Sequence, residues 1–63
     1  MSLTETERLK YLATIHQAAG MISVQLGVSV EEAMEELRAR SIATNRTVDE
    51  LAKAVVNRTE RFN

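Results

Sequence analysis

Few residues in this chain are of types that do chemistry, and their spacing narrows the chemistry further. His16 is the sole histidine and cysteine is absent. One imidazole without a thiolate partner makes no zinc site, and Ser/His/Asp nucleophilic catalysis needs a constellation held inside a pocket. His16 therefore reads as a solvated or partner-facing side chain. Glu31, Glu32, Glu35 and Glu36 crowd together, but such neighbours point in different directions around a helix, giving a solvated acidic face rather than a metal site. No catalytic residue, metal or cofactor is expected. The basic residues offer more. Arg38, Arg40, Arg46, Lys53, Arg58 and Arg61 follow one another, with Ser41, Thr44 and Asn45 among them. Those hydroxyl and amide groups suit phosphates or base edges. Arg38 and Arg40 diverge by about 200° around a helix, so a turn would have to gather the group. No exposed aromatic run offers a platform for single-stranded bases.

The elements that must position these residues are helices. There is no proline, glycine occurs only at positions 20 and 27, and the chain has one Tyr and one Phe. That composition favours helix and leaves little material for strands. Thr4-Glu5-Thr6-Glu7, Ser29-Val30-Glu31-Glu32 and Thr47-Val48-Asp49-Glu50 each place a hydroxyl three residues before a glutamate. This is the capping-box pattern, and each instance heads an apolar-periodic run. Gly27 and Asn45 suit the left-handed residue that ends a helix. The predicted helices span about 4–26, 30–44 and 48–60. In the first, Leu12, Ile15, Ala19, Ile22 and Leu26 follow the 3-4-3-4 spacing of a coiled-coil seam. Val30, Ala33, Met34, Leu37 and Ser41 make a stripe on the second, and Val48, Leu51, Ala52 and Val55 one on the third. The first helix is the longest, so its N-terminal half is expected to lack cover and to pair with a second copy. Gly20 is expected to permit the close approach of a neighbouring helix.

At 63 residues the chain is one domain, near the lower limit for a self-sufficient core. With no disulfide available, association with another chain is the expected aid to stability. A net charge of −1 and a charged fraction of 27% are not the strongly basic balance of a generic nucleic-acid binder, although a small basic face is compatible with both. No apolar run approaches the roughly 20 residues of a membrane span and no signal peptide opens the chain, so a cytoplasmic protein without membrane contact is expected.

From about residue 9 onward the sequence resembles the ANTAR domain. The resemblance is carried by Ile15, Ala18-Ala19-Gly20, Met21-Ile22, Gly27-Val28-Ser29, Glu31-Glu32-Ala33, Leu37-Arg38, Ser41, and Leu51-Ala52 with Val55-Val56. It implies an all-α, three-helix output module of a bacterial transcription antitermination regulator, dimeric, binding paired hairpins in nascent messenger RNA. Such modules follow receiver, GAF or PAS sensor domains. GMISVQLGVS and the trailing Arg58-x-x-Arg61-Phe62 resemble actinobacterial proteins with a GAF domain ahead of the ANTAR domain. One departure stands out: where the family pattern has lysine in Ala-Lys-Gly, this chain has Ala19.

On this resemblance Arg38, Arg40 and Arg46 are the expected phosphate contacts, with Ser41 and Asn45 offering shorter hydrogen bonds and Gln17 a further contact from the first helix. Two other readings stay open. Leu26-Gly27-Val28-Ser29 before a helix resembles a helix-turn-helix corner, but Glu31 and Glu32 would then face DNA phosphates. A dimerisation or protein-docking module that has lost RNA binding is the other.

Overall fold

The computed structural model describes residues 4–63. Three helices follow in order: α1 at Glu5–Leu26, α2 at Val30–Thr44 and α3 at Val48–Val56. No strand occurs among the described residues, and no described helix is long and apolar enough to cross a membrane. The domain is all-α, as its sequence pattern predicts.

Each helix starts where a hydroxyl can satisfy an orphan N–H. Thr4, Ser29 and Thr47 have extended backbones, and their side chains accept from the amides of Glu7, Glu32 and Glu50. Each helix ends in a left-handed residue: Gly27 at φ 68°, Asn45 at φ 55° and Arg58 at φ 64°. In each case the amide of the next residue reaches back a full turn: Val28 to the Ser23 carbonyl at 3.0 Å, Arg46 to Ser41 at 3.1 Å, and Thr59 to Ala54 at 2.9 Å. These 6→1 bonds are the Schellman closure, which satisfies carbonyls the helix leaves free. The third closure corrects the predicted extent of α3. The left-handed position falls on Arg58, one residue past the Asn57 cap and not itself a glycine or asparagine, so α3 stops at Val56, not near residue 60. Residues 57–63 then fold back as a C-terminal strap.

The core consists of Ile15, Ala18, Ala19, Ile22, Ala33, Leu37, Leu51, Ala52, Val55 and, from the strap, Phe62. Met21, Leu26, Val28, Met34, Val48 and Val56 pack around it, partly covered. The seam expected to serve a second copy is therefore divided. Ile15, Ala19 and Ile22 are buried against the chain's own helices, and Leu26 is partly so. Leu12 stays 44% exposed. Periodicity located the apolar stripe, but a small domain of its own covers most of it.

Gly20 also departs from expectation. A Cβ built there meets no atom within 4 Å, so no neighbouring helix in the chain requires its absence. The residues of α1 ahead of Thr14 are exposed on every side.

Candidate nucleic-acid interface

The basic residues divide between two flanks of α2. Arg38 is exposed on one flank beside Ile42, which is 83% exposed. Arg40 lies on the other flank, about 200° away around the helix. The Schellman turn after α2 carries Arg46 to the Arg40 side. There the two guanidinium groups meet a single carboxylate: Arg40 Nη1 lies 3.3 Å from Glu60 Oε2, and Arg46 Nη1 lies 3.1 Å from Glu60 Oε1. Arg40 and Arg46 are thus gathered by the fold, while Arg38 is not.

Ser41 and Asn45 hold the turn. The Ser41 hydroxyl donates to the carbonyl of Arg46, so its hydrogen is engaged in fixing the turn rather than offered outward. Asn45 takes the left-handed position, and its side chain is exposed. Lys53 pairs with Asp49 one turn away at 3.3 Å. Among the described residues, Arg8, Lys10, Arg38, Arg58 and Arg61 form no salt bridge.

Gln17 lies apart from the arginine pair. With Gly20, Met21, Val24 and Gln25 it lines the α1 wall of an open groove of about 510 Å³, whose other wall includes Arg58, Glu60 and Arg61. Val24, 82% exposed, stands at its edge. Ala19 has no exposed surface, so the middle residue of Ala18-Ala19-Gly20 is a core residue here.

Sequence reading missed the strap. Phe62 is buried, its amide donates to Gln25 Oε1 at 3.1 Å, and its ring centroid lies 3.7 Å from the Arg40 guanidinium carbon. Arg40 also donates to the carbonyl of Arg61 at 2.8 Å. The available signal was Phe62 itself, the chain's sole phenylalanine, placed just after a polar run. Three short helices short of core volume recruit such a residue.

No group of His, Asp or Glu able to hold a metal ion occurs among the described residues. What the site offers is two guanidinium groups and the exposed amide of Asn45 at one corner of a helical domain, an arrangement suited to anions. Comparisons with curated proteins and with solved structures find no significant match. The family model for the ANTAR domain matches residues 6–56, which takes in α1 but for its first residue and the whole of α2 and α3, and on that match the chain belongs to the ANTAR family.

Proposed function

We propose that this chain binds RNA hairpins in nascent messenger RNA as a homodimer, and so acts as the output part of a transcription antitermination regulator. The observation that carries this reading is the match across α1, α2 and α3 to a regulatory family known for RNA-binding antitermination. The geometry supports it through one cationic corner, where Arg40 and Arg46 converge on a single anion. Hairpins are read through backbone shape and unpaired loop bases, so a few well-placed cations suffice without a strongly basic domain. Arg38, Asn45 and Gln17 would extend the contact from neighbouring faces. A second copy would cover Leu9, Tyr11 and Leu12, which are exposed on the free half of α1. A GAF or receiver domain ahead of the chain, in the cytoplasm, completes the proposal.

The test is binding to tandem RNA hairpins across a salt series, with duplex DNA as comparison. Steep salt dependence and preference for hairpins support the reading. Arg38→Glu should weaken binding without changing the melting temperature, because Arg38 is exposed and bridges no acid. It should also reduce the slope of log K against log salt by about one unit. Equal binding to duplex DNA would favour a helix-turn-helix reading. That reading is disfavoured by the exposed Glu31 and Glu32 at the start of α2. A dimer that ignores both nucleic acids would leave a protein-docking module.

A further inference from the structure

Arg40 and Arg46 are the two arginines the fold brings together, and Glu60 already occupies the space between them. The pairing is not local: Glu60 lies 14 positions from Arg46 and 20 from Arg40. It is delivered by the strap, which is secured at three places. The left-handed turn at Arg58 aims it, the bond from Phe62 to Gln25 ties it to α1, and the Phe62 ring lies against Arg40. One carboxylate oxygen faces each guanidinium, much as two oxygens of a phosphate would in a charge-assisted clamp. All three side chains keep about a third of their surface exposed: 34% for Arg40, 37% for Arg46 and 28% for Glu60. The site is thus reachable from solvent, and exchange of the carboxylate needs no disruption of the helical core.

We propose that Glu60 is the internal occupant of a phosphate site formed by Arg40 and Arg46, and that an RNA phosphate enters by displacing it. This rests on the RNA-binding reading for the identity of the anion, but not for the existence of the site. The strap then acts as a competitor built into the chain. With Glu60 in place the charge of the corner is halved and both guanidinium groups are already paired, so an isolated phosphate gains little by exchange. A polyanion that also reaches Arg38, Arg58 or Arg61 offers several contacts at once and overcomes the competition. The device would discriminate an extended nucleic-acid backbone from small free anions. The exchange also removes one of the ties between the strap and Arg40, which lies over Phe62, so binding and loosening of the C-terminal end are coupled.

The experiment compares the full chain with Glu60→Gln, which removes the competing charge while keeping the side chain's length. Glu35→Gln is the control for net charge, since Glu35 is exposed on α2 and takes part in no salt bridge. Each protein is titrated with tandem RNA hairpins and, separately, with inorganic pyrophosphate. The Arg40 and Arg46 side-chain resonances and the Phe62 amide are followed by NMR. Expected is about fivefold tighter hairpin binding for Glu60→Gln than for Glu35→Gln at low salt, a gap that narrows as salt rises. Pyrophosphate should shift the Arg40 and Arg46 resonances at lower concentration in Glu60→Gln, and in wild type should move the Phe62 amide with them. If Glu60→Gln and Glu35→Gln bind hairpins equally well, Glu60 is only a structural tie; the masking is overturned and the RNA reading stands. If no variant binds hairpins, the RNA reading falls and pyrophosphate decides: earlier shifts in Glu60→Gln retain the masked anion site, and equal shifts overturn it. Phe62→Ala gives an independent variant. It should raise hairpin or pyrophosphate affinity in the same direction as Glu60→Gln, and unchanged affinity in a folded Phe62→Ala protein counts against the strap as competitor.

Discussion

Replacing Gly20 with alanine should stabilise this domain, although a glycine inside a helix next to the core invites the opposite expectation. Gly20 sits in the interior of α1, without the positive φ that favours glycine, and a Cβ there would meet no atom within 4 Å. The substitution therefore adds no clash and removes only the backbone freedom that glycine keeps in the unfolded chain. The gain is the difference in helix propensity, about 1 kcal/mol. In a domain of this size 1 kcal/mol corresponds to roughly 4–8 °C in melting temperature. Circular dichroism melts of wild type and Gly20→Ala at low micromolar concentration measure this directly. Gly20→Leu extends the test, because its side chain would enter the open groove beside Met21 and Val24; it should fold with no loss of stability. A lower melting temperature for Gly20→Ala in dilute solution would refute the reasoning. A gain when dilute that reverses at high concentration would place the glycine face against a second copy.

Two further substitutions probe the scaffold. Leu37→Ala removes a fully buried side chain where α2 meets the core and should cost about 2–5 kcal/mol. Against the roughly 3–9 kcal/mol a domain of this length possesses, much of the chain should be unfolded at 37 °C, as a urea titration would show; a midpoint within experimental error of wild type would contradict the core assignment. Arg58→Gly relieves a left-handed conformation at a non-glycine residue and should raise stability by about 0.5–1 kcal/mol, whereas Arg58→Ala should not. Equal melting temperatures for the two variants would remove that turn as a source of strain.

The legible parts of the fold are those specified within one turn of helix. Thr4, Ser29 and Thr47 as caps, and Gly27 and Asn45 as stops, each act on residues no more than five positions away, so their types and spacing reveal them. Arg58 acts over the same short range but is not a residue type that marks such a turn, and the pattern therefore predicts a longer α3 than the one formed. The candidate site was legible only in its residue types. Arg40 and Arg46 lie close in sequence, yet their common neighbour Glu60 arrives on a strap whose docking depends on Gln25, 37 positions from Phe62. The seam on α1 shows a different limit. Spacing identifies the apolar stripe of a helix, but the same stripe serves a partner chain or the chain's own core. Ile15, Ala19 and Ile22 go to the core because α2 and α3 are long enough to cover them and no farther.

The uncovered start of α1 makes the domain unequal along its own length. From Glu5 to Ala13 every residue is exposed, and helical segments this short hold together poorly in water without tertiary support. Hydrogen exchange should therefore be fast over these two and a half turns and slow from Ile15 onward, within one continuous helix. Any partner that seats on Leu9 and Leu12 must first quiet this fraying end, and its apparent affinity is reduced by that ordering. Helix-favouring replacements on the opposite face of this segment would then strengthen association while touching nothing in the interface. The strength of assembly is in this way set partly by backbone order upstream of the core, a quantity that evolution can tune one exposed residue at a time.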